Sequence, residues 1–202
     1  MKTGELRRVA RAFASCLSEP WRLVGNEFMR CEGDWVQIVS FNASRFAEQY
    51  IPRSSMEFLK MPGVPTGGFL VQELRNPKGT QRWVKATNAP ANVFEEMARQ
   101  FKPALLNPLN VTEIKGLLAI SLSNWSHAYA LCVVACEAGN LMDAERRFNA
   151  FVTATADKPY PWAEIRRREL AECMKLAGSP ESLRMHLETI RVEKLCALKL
   201  AP

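Results

Sequence analysis

The sequence predicts an α+β protein: an N-terminal helix and an antiparallel sheet of four or five strands, then an all-helical C-terminal half of antiparallel helix pairs. Three observations carry this. Apolar residues at helical spacing open the chain. Strand-like runs divided by Gly, Asp, Asn and Pro turns fill residues 26–87. From residue 92 onward, capping patterns and Gly or Pro stops punctuate one helical run after another. Residues 1–88 are read as the α+β sheet subdomain and 89–202 as the helical subdomain, packed together as one unit.

In the first helix Leu6, Val9, Ala10, Phe13 and Leu17 share a face, with Arg7, Arg8 and Arg11 elsewhere on the wheel. Thr3 is the expected N-cap, and Pro20 keeps the helix from passing Ser18. Residues 26–31 and Trp35–Asn42 flank Glu32-Gly33-Asp34, a hairpin signal. The second run is apolar on both faces, which predicts a central strand covered on both sides. Residues 43–53 show no dominant period. Ser55–Lys60 alternates as a strand, and the two prolines and three glycines of residues 62–68 predict a loop. Asn76-Pro77-Lys78-Gly79 is a strong turn, so Phe69–Leu74 and Gln81–Thr87 are expected to form a second hairpin.

Asn92-Val93-Phe94-Glu95 reads as a capping box opening a helix to about Phe101, before Pro103. Asn110-Val111-Thr112-Glu113 repeats it for a helix to about Leu122. Residues 126–138 form an apolar helix ending at Gly139. Helices over 141–156 and 162–176 follow. Gly178 stops the second of these, Ser179 caps the next, and Pro180 enters its first turn toward about Leu200.

The 202 residues are 48% hydrophobic and 24% charged, which suits a folded chain rather than long disorder. Net charge is +6, concentrated in the N-terminal half. Such an excess steers toward polyanions or acidic protein surfaces. No apolar run reaches the roughly 20 residues that span a bilayer, so no membrane insertion is expected. The opening MKTGELRRVARAF lacks the apolar core of a secretory signal. The six cysteines are therefore expected as reduced thiols in a cytoplasmic protein.

Gly139, Ala144 and Phe148 have the spacing of half a tetratricopeptide unit, so residues 128–151 resemble one helical hairpin of that family. Gly25-x-x-Phe28-x-Arg30, a short turn and Trp35-Val36-Gln37-Ile38-Val39-x-Phe41-x-x-Ser44 resemble the opening of a bacterial domain-of-unknown-function family. That resemblance implies an N-terminal helix and antiparallel sheet followed by helices, and a bacterial accessory protein. It brings no activity and no functional residue.

Few residues point to chemistry. A Ser/His/Asp or Cys/His mechanism would have to use His127 or His186, the only histidines. His127 is read as a helix-boundary residue or a partner to helix-end groups, and His186 as a solvated side chain. Cys132 and Cys136 share a helix face, but a zinc site needs two further ligands and no CxxC or His pair supplies them. Cys31, at a turn, is expected to be exposed. Glu95-Glu96 suits a helix's first turn and Glu32/Asp34 a turn. The 62–68 loop lacks the Lys-Ser/Thr of a phosphate cradle. The sequence thus points to no catalytic residue, metal or cofactor, and leans away from an enzyme.

Basic clusters remain at Arg7/Arg8/Arg11, Arg146-Arg147 and Arg166-Arg167-Arg168, with Arg82-Trp83 and Lys85 on a strand. Arg7, Arg11, Arg82, Arg166 and Arg167 are the candidate partner-binding residues. The expected function is a non-catalytic bacterial protein–protein interaction module, such as an immunity or accessory protein that binds and blocks its partner. The alternatives are a nucleic-acid-associated protein using the basic N-terminal half, or an enzyme with a site assembled from distant residues.

Overall fold

A computed structural model describes residues 1, 3–17, 20–62, 69–101, 116, 125–156 and 161–200. Helix α1 (Thr3–Phe13) continues as a 3-10 turn over Ala14–Cys16. Six strands follow: β1 (Arg22–Val24), β2 (Glu27–Glu32), β3 (Trp35–Ala43), β4 (Gln49–Phe58), β5 (Phe69–Glu73) and β6 (Val84–Lys85). Helices α2 (Pro90–Gln100), α3 (Trp125–Glu137), α4 (Leu141–Thr155), α5 (Pro161–Leu176) and α6 (Pro180–Ala197) complete the described elements. The α+β class read from the sequence is the one observed.

The chain divides into two compact units, Met1–Glu57 with Thr66–Asn110, and Phe58–Pro65 with Val111–Pro202. Helix α2 therefore lies with the sheet, although its sequence reads as the start of the helical half. The reason is its inner face: Val93 and Met97 pack into the same core as Leu6, Val9, Ala10 and Phe13 of α1.

In the first unit the sheet runs β1-β2-β3-β4-β5, with β6 also on β4. Glu32 pairs with Trp35, which leaves a two-residue Gly33-Asp34 turn. Gly33 has φ +57, a conformation glycine adopts without the Cβ penalty. Residues 35–41 of β3 are all buried, as expected of a central strand. The short edge strand β1, paired by Leu23↔Phe28, had no strand reading in the sequence.

Residues 49–53, ambiguous in the sequence, belong to β4, which ends at Phe58 rather than Lys60. Pro52 obscured it, since proline removes a ladder donor. A strand residue turns its N–H and C=O toward the same neighbour. The Pro52 carbonyl accepts from Leu74 N (3.2 Å), so its missing donor also faces β5 and β6, where the ladder is interrupted.

That interruption corrects the expected second hairpin. The turn itself forms: Gly79 N donates to Asn76 O (2.8 Å) and Asn76 N to Thr80 O (2.9 Å). However, only one bridge, Arg75↔Gln81, joins the two arms. Beyond it β5 pairs with β4 at Arg53↔Glu73, while β6 pairs with β4 at Tyr50↔Val84. Both strands follow one edge of the ten-residue β4, with the turn as an excursion between them.

The cap expected at Asn92 is also displaced. α2 begins at Pro90 with Ala89 as N-cap and no side-chain cap bond. Proline's pre-set φ and missing N–H suit a first-turn position, so the cap falls three residues earlier. The Thr3 side chain, the 63–68 loop and the helix expected over 110–122, apart from helical Gly116, lie outside the described residues.

In the helical unit α3 contacts α4, α5 and α6. Nine of its residues, from His127 to Cys136, are buried. An apolar surface on all sides is what a central helix needs. It ends where expected: Gly139 has φ +68, and Asn140 N reaches back to Ala135 O (3.0 Å). Asn140 then caps α4, accepting from Asp143 N (3.1 Å). Ala144 is fully buried and its carbonyl lies 3.3 Å from Cys132 Sγ, close αα-hairpin packing. The last helix stops at Ala197, three residues before the expected Leu200.

Candidate functional site

The five candidate arginines fall in both units. Arg7 and Arg11 sit four residues apart on α1, one turn above the other and exposed, with Arg8 beside them. The opposite face anchors the helix: Ala10 and Phe13 are fully buried, and Phe13 meets Phe41 at 4.8 Å and Tyr50 at 6.3 Å between ring centroids. None of the three arginines makes an ion pair or hydrogen bond among the described residues. A like-charged i, i+4 pair costs a few tenths of a kcal/mol, roughly 0.2–0.5, and nothing nearby offsets it here.

The other three are committed within the fold. Arg82 Nη1 is bonded to Glu96 Oε1 of α2. This clamps the 75–82 excursion to that helix, alongside the two-way bonding of Gln100 with the Arg75 backbone (2.8 Å each). Arg166 is buried at 8% exposure. Its Nη1 lies 2.7 Å from Glu169 Oε2 and its guanidinium 5.8 Å from the Tyr129 ring centroid. Arg167 donates to Thr155 O (3.0 Å) and faces Glu164 (3.5 Å). On the sequence, Glu164 and Glu172 each lie four residues from Arg168, the spacing of exposed helix pairs. The structure shares Glu164 between Arg167 and Arg168 and gives Arg166 to Glu169.

Three buried thiols, Cys132, Cys136 and Cys173, gather between α3 and α5. Burial pushes the Cys173 thiol up to about 12. The Cys132 S–H toward Cys136 holds Cys136 below, and Cys132 above, the ordinary thiol range. Cys132 Sγ is also 3.3 Å from Ala144 O, and Cys132 has only one proton to give. Cys136 and Arg184 line a cavity of about 460 Å³ at the start of α6. Neither histidine is among its described lining residues, so no imidazole base is placed for a thiol nucleophile there. His127 is buried in the first turn of α3, near the helix boundary as expected, and His186 is half-buried rather than solvated. Cys31 is exposed, as expected, and so is Cys196. Among the described residues no cluster of three His, Cys, Asp or Glu is arranged to hold a metal, and no helix is long and apolar enough to cross a membrane.

Sequence reasoning passed over a second feature of the first unit. Tyr50, Arg8 and the residues entering α2 line a cavity of about 280 Å³ beside α1. The only signal for it was Ala89-Pro90, which marks a helix start with no capping side chain. No protein-family model, curated protein or solved structure matches the chain.

Proposed function

We propose that the protein is a non-catalytic interaction module of bacterial type, an immunity or accessory protein, that docks the arginine face of α1 onto an acidic surface of a protein partner. The observation that supports this reading is the uncommitted state of Arg7 and Arg11 on a helix whose other face is locked into the core. Preformed charge of this kind accelerates encounter and selects partners by complementarity. Arg82, Arg166 and Arg167 drop out of the docking surface because carboxylates or a backbone carbonyl already hold them.

The test is a tagged pull-down from lysate at low and moderate salt, comparing the native chain with Arg7→Glu/Arg11→Glu. The expected result is one near-stoichiometric acidic protein, retained at moderate salt by the native chain and lost by the variant. A partner held equally well by both chains would refute the α1 assignment. The nucleic-acid reading is favoured by Trp83, which is 42% exposed and could stack a base. Its signature is nucleic acid in the eluate that declines steeply with salt, as released counterions require.

A further inference from the structure

We propose that the cavity between α1 and the N-terminus of α2 binds a small oxyanion, a phosphate or carboxylate group carried on a compact apolar body. Four features converge on it. The cavity of about 280 Å³ is far larger than a single water needs. Tyr50, one of its lining residues, is only 1% exposed, and its hydroxyl has no hydrogen-bond partner among the described residues. Its ring is held by edge contacts with Phe13 and Phe41, which fix the position of the phenol. A donor without a protein partner, on a residue that lines a cavity, is open to a ligand acceptor.

The second feature is α2 itself. Its N-cap is Ala89, which has no capping oxygen, and Pro90 has no N–H. Ala89 and Pro90 line the cavity, and the amides of Ala91 and Asn92, the next residues along the chain, have no partner among the described residues. First-turn amides point out of the N-terminal end of a helix, and the macrodipole adds positive potential there. The third is Arg8, on the flank of α1 and without an ion pair among the described residues. No acidic side chain is among the described lining residues, so nothing repels an anion. The fourth is the remaining wall, where Val9, Ala12 and Phe13 offer an apolar surface to the body that carries the charge. Burial pushes the Tyr50 phenol up to about 12, so it keeps its proton at neutral pH and donates. The site does not depend on the partner reading, because that reading rests on Arg7 and Arg11, which are not among the described lining residues of the cavity.

The experiment is a ¹⁵N-amide titration of the full chain with inorganic phosphate and, separately, with benzoate, at constant ionic strength. The expected result is a saturable shift of the Ala91 and Asn92 amides with at least one probe. Saturation by phosphate alone assigns a phosphate group, and by benzoate alone a carboxylate. Tyr50→Phe keeps the ring and removes only the hydroxyl; Arg8→Gln lies on an exposed helix position. Each should weaken binding about 10-fold or more, the scale of one hydrogen bond to a charged group. Tyr50→Phe should fold with an unchanged or higher Tm, because the lost hydroxyl had no partner. The absence of saturable shifts at these amides with both probes would overturn the proposal. So would undiminished binding in either variant.

Discussion

Glu169→Ala tests whether Arg166 is a structural residue or a docking residue. The Glu169 carboxylate accepts from Arg166 Nη1 at 2.7 Å and from the Tyr129 hydroxyl at 3.2 Å. Removing it leaves a guanidinium at 8% exposure with no carboxylate, against an aromatic ring. Breaking a fully buried pair costs about 3–5 kcal/mol. The Glu169 side chain is 22% exposed, however. Water reaches the pair and screens it, which brings the expected loss to about 2–3 kcal/mol. Arg166→Met should cost less, about 1–2 kcal/mol, because the carboxylate it strands can still reach water and the Tyr129 hydroxyl. The double variant Arg166→Met/Glu169→Ala should cost less than the sum by about 1–2 kcal/mol. The assay is urea unfolding followed by helix signal, with midpoint and slope fitted together. A Glu169→Ala loss below about 0.5 kcal/mol, the range of ordinary surface changes, would show that Arg166 is free and would return it to the docking surface.

Three further outcomes follow from the helical unit and from the thiols of both units. Gly139→Ala should lower stability by about 1 kcal/mol in urea, because it places a Cβ on a residue at φ +68, although no atom would clash with it. With a thiol-reactive chromophore, Cys31 and Cys196 should react fast, while Cys132 and Cys173 should react only on unfolding; fast reaction of either would contradict the packing of α3. Burial alone would raise the Asp143 pKa, but the Arg146 hydrogen bond and the Arg147 charge more than offset it, leaving the group below its ordinary value. A depressed folded pKa stabilises above the unfolded value and is lost as pH falls through the folded one. Asp143→Asn should therefore lower the urea midpoint at pH 7, with the difference shrinking below about pH 4.

Most helix and turn positions were legible because their signals are local. Leu6, Val9, Ala10 and Phe13 repeat with the helix period, and Gly139 and Pro180 mark a stop and a start without reference to anything distant. The misreadings sit where a distant strand decides. Residues 69–74 and 81–87 read as partners because a good turn joins them, yet β4 outcompetes each for the other. Nothing local in 43–53 says that this segment will be that strand, and Pro52 argues against it until the interrupted edge it faces is known. Residues 89–101 read as the first of many helices, whereas the α1 and sheet core claims Val93 and Met97.

The same division governs the candidate site. Sequence composition locates arginines but does not show whether each has a partner. Helix-local pairs can be counted from spacing, as with Glu164 and Arg168. The clamp of Arg82 to Glu96 joins a strand excursion to a helix, and no periodicity contains it. Tyr50 is the sharper case. From sequence it is one aromatic in an unpatterned stretch; in the fold its ring completes the Phe13–Phe41 cluster while its hydroxyl has no partner among the described residues. Packing accounts for the ring, and the cavity that Tyr50 lines is where the hydroxyl can find an acceptor. α1 repeats that asymmetry, with a core face that accounts for its position and an arginine face that does not contribute to it. Both unexplained surfaces lie on the same unit, and both favour negative charge.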